Sequence, residues 1–160
     1  MPIHKATVRV WLDEPWQHAI LRTCPETQVD VDKNPVWILE PACLVDAEGS
    51  PPVNMVFVAL RSGLAEEAIA WADRIGLKRA SGRHALNAAE EEGIWTAFKK
   101  FEPNVPLTCI ANSEPYALEH EGSARDYFCM AWNNKGKRKA STFFADRTGG
   151  PGIWMAFICE

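Results

Sequence analysis

The stretch Ser62-Gly63-Leu64-Ala65-Glu66-Glu67-Ala68-Ile69-Ala70-Trp71-Ala72-Asp73-Arg74-Ile75-Gly76 decides the fold class, because here the hydrophobic period changes from two residues to that of a helix. Leu64, Ala68, Trp71, Ala72 and Ile75 fall on one stripe, and Glu66 and Glu67 lie in the first turn, where the helix dipole favours negative charge. Ser62 or Gly63 can cap the start, and Gly76 supplies a left-handed stop. A second helix is expected from about Arg83 or Ala85 to Phe101, with Ser81 as its cap and Leu86, Ala89, Ile94, Ala97, Phe98 and Phe101 inward. Its weak point is Gly93, since glycine costs about 1 kcal/mol relative to alanine inside a helix. The residues after it, Ile94 to Phe98, also suit a strand.

Outward from these helices, both flanks read as sheet. Ala6 to Leu12 alternates, with Val8, Val10 and Leu12 on one side and Thr7, Arg9 and Trp11 on the other, which predicts a half-buried strand. Trp16 to Cys24, bracketed by Pro15 and Pro25, suits a short helix or an irregular turn equally. From Thr27 to Leu60 short extended pieces are broken at Pro35, Pro41, Pro51 and Pro52, because proline cannot donate to a ladder. The loop Ala47 to Pro52 is expected to join two antiparallel strands, Trp37 to Asp46 and Val53 to Leu60. Beyond the helices, Leu107 to Ala111, Asp126 to Trp132, Ser141 to Ala145 and Ile153 to Cys159 are apolar runs separated by turn residues, and the last three are expected to form an antiparallel meander. No repeat and no long linker divides the chain. The expectation is one α+β domain over residues 1–160, with two central helices packed on one face of an antiparallel sheet and a C-terminal β-meander.

A hydrophobic fraction of 47% with 24% charged residues is ordinary for a chain that folds around its own core. No apolar run is long enough for a membrane span and the start has no secretory pattern, so no membrane partner and a cytoplasmic location are expected. The cysteines Cys24, Cys43, Cys109, Cys129 and Cys159 are widely spaced with no CxxC pair, which points to reduced, mostly buried thiols rather than disulfides or zinc ligands. His4, His18, His84 and His120 never stand at the i, i+3 or i+4 spacing of a metal pair on one helix face. Phosphate-loop, dinucleotide, HExxH and GxSxG signatures are absent from the sequence. No catalytic residue, metal or cofactor is therefore assigned.

Charge is unevenly spread over a net −4. Glu26, Asp30, Asp32, Glu40, Asp46 and Glu48 form an acidic segment against the single base Lys33, whereas Lys135, Lys137, Arg138 and Lys139 form a basic cluster with no acid. If the flanking runs pair as a hairpin, Asn133 to Lys139 is its tip and the four charges project together toward phosphate or an acidic surface. The ordinary alternative is a solubilising tip that guards a sheet edge. Seven tryptophans exceed what one small core holds, and Trp11, Trp16 and Trp95 are the candidates for exposure as interface anchors. Arg83 and His84, near a helix start that attracts anions, join Cys109 and Arg125 as candidate lining of a pocket between helices and sheet.

Three functions follow in order. The first is a non-catalytic interaction protein that blocks or adapts a partner protein, similar in charge and size to small acidic inhibitors of the anti-defence and toxin-immunity kind, with the acidic face occupying a basic surface. The second is a small-ligand binder or enzyme using the Arg83, His84, Cys109 and Arg125 pocket. The third is a nucleic-acid accessory protein working through Lys135 to Lys139.

Overall fold

The elements in chain order are β1 (Ile3–Arg9), α1 (Trp16–Thr23), β2 (Pro52–Ala59), α2 (Ala65–Arg74), β3 (Lys78–Arg79), α3 (Gly82–Ala88), α4 (Glu92–Phe101), β4 (Leu107–Ala111), β5 (Tyr116–Ala117), β6 (Asp126–Asn134), β7 (Lys137–Phe144) and β8 (Ile153–Ile158). They belong to a computed structural model that describes residues 2–27, 49–61, 63–114, 116–117, 126–144 and 150–159. The alternating segment after the N-terminus is β1, as its period requires, and it pairs antiparallel with β2 from Ile3↔Val58 to Arg9↔Pro52.

The last strand does not complete a meander. β6 and β7 form the expected hairpin, but β8 leaves it and inserts between β2 and β4, antiparallel to the first and parallel to the second. Its sequence explains this: Trp154, Met155, Ala156 and Phe157 are apolar on both faces and all buried, the pattern of a central strand rather than an edge. β4 then pairs antiparallel with β6. β3 and β2 both pair with Phe157 and Ile158, so β3 lies on the β4 side of β8. In the same way β5 and β7 both pair with Tyr127, so β5 continues the β4 side of β6. Across the sheet the order is β1-β2-β8-β4-β6-β7, mostly antiparallel. The segment Trp37 to Asp46, expected to pair with β2, lies outside the described residues; the neighbours of β2 are β1 and β8.

Period-two alternation sends the two faces to two cores. Val8, Val10, Met55, Phe57, Ile110, Ala131, Trp154 and Ala156 pack with α1, α3 and α4 through Ile20, Leu86, Ile94, Trp95 and Phe98. Here the Phe98 and Trp154 rings stack at 4.2 Å between centroids, an interplanar angle of 5°. Val56, Val58, Leu60, Met155 and Phe157 face the opposite way and pack with Ala65, Ala68 and Ala72 of α2. The two helices expected on one face are thus on opposite faces, because β2 and β8 are hydrophobic on both sides and each side needs a cover.

Helix α2 ends as its glycine predicts. Gly76 has φ of +82°, Leu77 N–H donates to the Ala72 carbonyl at 2.9 Å, and Gly76 N–H donates to that of Asp73 at 3.3 Å, a Schellman stop. Its N-cap is Leu64 with no side-chain cap, Ser62 lies outside the described residues, and Ile75 is exposed rather than on the buried stripe. The second expected helix is two helices. The break falls at Ala89 to Glu91 rather than at Gly93, which sits in the first turn of α4, where it interrupts no helix interior. The Ala89 carbonyl at the break accepts from Trp95 Nε1 at 2.8 Å and Arg138 Nη1 at 3.0 Å. Among the described residues, no helix is long and apolar enough to cross a membrane.

Candidate functional site

The basic cluster sits on a two-residue hairpin. Asn134 pairs with Lys137, and the loop residues Lys135 and Gly136 have φ of +53° and +87°, the left-handed pair a tight hairpin turn of right-handed twist demands. Asn133 Oδ1 accepts from Gly136 N–H at 2.8 Å and fixes the turn. The strands therefore run almost to the tip, and residues 137 to 139 alternate across the sheet instead of projecting together. Arg138 turns toward the helices, bonded to the Ala89 carbonyl and 3.5 Å from Glu92. Lys137 and Lys139 belong to the other face, where the Lys139 ammonium lies 5.7 Å from the Trp132 ring centroid. Of the four bases, Lys135 and Lys137 are exposed, and Arg138 and Lys139 are half-buried.

Register assembles this second face into rows. Ile153, Cys109, Trp132 and Lys139 lie side by side across β8, β4, β6 and β7, and Leu107, Asn134 and Lys137 form the row next to them. Met155, Ala111, Met130 and Ser141 make the row on the other side. α2 packs on β3 and β8 and shields Met155 and Ala111. Farther along, Leu107 is 41% exposed, and an open recess of about 580 Å³ is lined by Val105, Leu107, Cys109, Met130, Pro151 and Ile153. Its wall is held by close backbone contact: Cys109 N–H donates to the Gly152 carbonyl at 2.7 Å, and Gly152 N–H donates to Glu102 Oε2 at 3.3 Å. On the helix side of the same tip, a smaller cleft of about 160 Å³ lies between Trp95, Thr96, Lys99, Thr108, Asn133 and Lys135.

The candidate pocket residues are not brought together. Arg83 is buried in α3, where Nη1 donates to the Trp11 carbonyl at 3.1 Å and the guanidinium lies 5.7 Å from the Trp16 ring centroid. His84 completes the α3 cap: its Nδ1 accepts from Ser81 N–H at 3.2 Å and lies 2.8 Å from Ser81 Oγ. Burial pushes its pKa down to about 4, so the ring is neutral at physiological pH. Cys109 lies on the opposite face of the sheet, its thiol pushed up to about 12 by burial. Cys24 and Cys129 are likewise raised by burial, to about 11 and about 12, so none of these three is a ready thiolate. Arg125 lies outside the described residues. Among those residues, no group of three His, Cys, Asp or Glu side chains stands close enough to hold a metal ion.

Two of the three tryptophans expected at the surface are buried, Trp16 on α1 and Trp95 on α4. Trp95 lies beside Ile94 and Phe98 on the buried stripe of α4, with its Nε1 donating to the Ala89 carbonyl, whereas Phe101, expected inward, is exposed. Trp11 is 45% exposed and stays a surface residue. Of the acidic segment, Glu26 is exposed and its N–H donates to the Arg138 carbonyl at 3.0 Å; Asp30, Asp32, Glu40, Asp46 and Glu48 lie outside the described residues.

The residues missed in the sequence are Leu107, Trp132, Met130 and Ile153. The strand character of the segments that became β4, β6 and β8 was visible, but which strands lie side by side was not. Comparison with protein-family models, with curated proteins and with solved structures finds no match.

Proposed function

We propose that this chain is a non-catalytic interaction protein that blocks or adapts another protein, engaging it through the open face of β4, β6 and β7. The observation that carries the reading is the apolar recess beside half-exposed Leu107, a concave surface at which Asn104 is the one polar amide among the described lining residues. The side chains with reactive potential support it from the other direction, since His84 serves a helix cap and Cys109 is held as a neutral thiol. The acidic segment is not needed for this reading, which rests on described residues alone.

Affinity purification of the tagged chain from its native cells tests the proposal. A stoichiometric partner is expected with the natural sequence, and its recovery should fall about tenfold with Leu107→Asp, a truncation-scale loss for an interface anchor. Failure to recover any partner, or equal recovery with the variant, would count against it.

The reading as a nucleic-acid accessory protein keeps one specific support, the exposed Lys135 and Lys137 at the tip of a β-ribbon. It is weakened by Arg138, whose guanidinium is engaged at Ala89 and Glu92. Titration of labelled oligonucleotides separates the two readings: phosphate contacts lose affinity steeply with salt, and Lys135→Ala with Lys137→Ala would then weaken binding to every sequence alike.

A further inference from the structure

We infer that the face formed by β4, β6 and β7 docks a protein segment with an apolar anchor set a few residues from acidic side chains. This rests on the interaction reading above and gives it a partner chemistry.

The recess holds the apolar part of the face on β8, β4 and β6, and Lys137 and Lys139 follow one another along β7 at its border. No carboxylate stands in the three rows of this face; Glu102, beside the recess, turns its Oε2 onto Gly152 N–H. Among the described residues, Lys137 and Lys139 set positive charge beside this apolar floor, with Glu26 at the outer edge of β7, and in a chain of net charge −4 that is a local concentration of positive charge. Such a pattern selects a partner that is apolar at one point and negative beside it, because complementary potential sets register and suppresses like-charged competitors.

Sheet geometry sets the spacing. Leu107 and Lys137 are two strands apart, about 10 Å at about 4.8 Å per strand, so an extended segment crossing the strands would place its acid about three residues from its anchor.

The same features argue for docking on the face rather than strand addition at the edge. The free edge of β7 is already met by the chain itself: Glu26 N–H donates to the Arg138 carbonyl at 3.0 Å, and Ala140 N–H donates to Thr27 Oγ1 at 2.8 Å. They also disfavour a nucleic-acid strand. The recess lining among the described residues includes Val105, Leu107, Cys109, Met130 and Ile153 and no aromatic ring, and the neighbouring Trp132 ring is met by the Lys139 ammonium, whereas strand binders present successive aromatic faces.

The test is a selection of displayed random peptides on the intact protein, followed by anisotropy titration of the enriched peptides. Enriched peptides should pair a large apolar residue with Asp or Glu within about three positions. Their affinity should fall about tenfold in Lys137→Glu/Lys139→Glu and in Leu107→Asp, and several-fold on raising salt from about 50 mM to about 300 mM. Lys100→Glu, an exposed change on α4, should leave it unaltered, and matched thermal melts would establish that each variant is folded.

Several results would overturn the inference: enrichment of peptides without acids, no enrichment at all, binding indifferent to the lysine changes, preferential binding of an oligonucleotide, or self-association abolished by the same variants. A native partner lost with Leu107→Asp but retained with Lys137→Glu/Lys139→Glu would remove this partner chemistry while leaving the interaction reading intact. Absence of any native partner would strike at that reading itself.

Discussion

His84 is neutral because the protein around it excludes the water that would solvate a charged ring, and that has a pH signature. Its pKa is about 4 in the fold against 6.5 for the free side chain, so between those values unfolding takes up a proton. Stability is therefore full above pH 6.5 and declines as pH falls toward 4, by up to about 3 kcal/mol at about 1.4 kcal/mol per pKa unit. His4, also lowered by burial, adds to the loss with the same sign. Urea titrations across this window should show the decline, and His84→Gln should start less stable but fall less steeply; an unchanged slope would place the sensitivity elsewhere. Gly152 is the other decisive residue. At φ of +87° it is in the left-handed region, and a Cβ there would overlap the Leu107 carbonyl oxygen and come within 2.9 Å of Val105 Cγ1. Gly152→Ala should destabilise the fold by more than the about 1 kcal/mol of the backbone term alone, because backbone must move to relieve the overlap. A thermal melt matching the natural protein would refute that geometry.

At the scale of elements, the junction between α3 and α4 is stabilised by side chains distant in sequence. Trp95 and Arg138 both donate to the Ala89 carbonyl, and Trp95→Phe, which removes the donor and leaves part of the indole's buried volume empty, should cost more than about 1 kcal/mol in denaturant unfolding. A loss within error would mean that Arg138 alone satisfies the carbonyl. This junction also marks what the sequence left illegible. The α2 stripe apart from Ile75, its acidic first turn and the Gly76 stop are local signals and were readable, as was the β6–β7 hairpin, although its tip was expected to span Asn133 to Lys139 and is only Lys135 and Gly136. The break at Ala89 was not, because its partner Arg138 lies on another strand and nothing in the segment itself forbids a continuous helix. At this carbonyl Trp95 is held inward and Arg138 is held away from the basic tip.

At the scale of the whole molecule, the α+β class followed from the change of hydrophobic period, but the topology did not. Ile153 to Ile158 reads as a third meander strand from its position after a hairpin; its continuous apolar character was the cue that it sits at the centre of the sheet with both faces covered. Placing β8 there sets β4 beside it, and this juxtaposition creates the recess, so the candidate surface was hidden for the same reason as the topology. The pocket expected from Arg83, His84 and Cys109 dissolved because the sheet separates them. The open face of β4, β6 and β7 is the proposed meeting point with another protein. A photo-crosslinking residue introduced at Leu107, compared with one at exposed Leu21 on α1, measures this most directly in native cells. A discrete adduct with one protein from position 107 and none from position 21 is the predicted result; an adduct from position 21 alone, or from neither position, would contradict it.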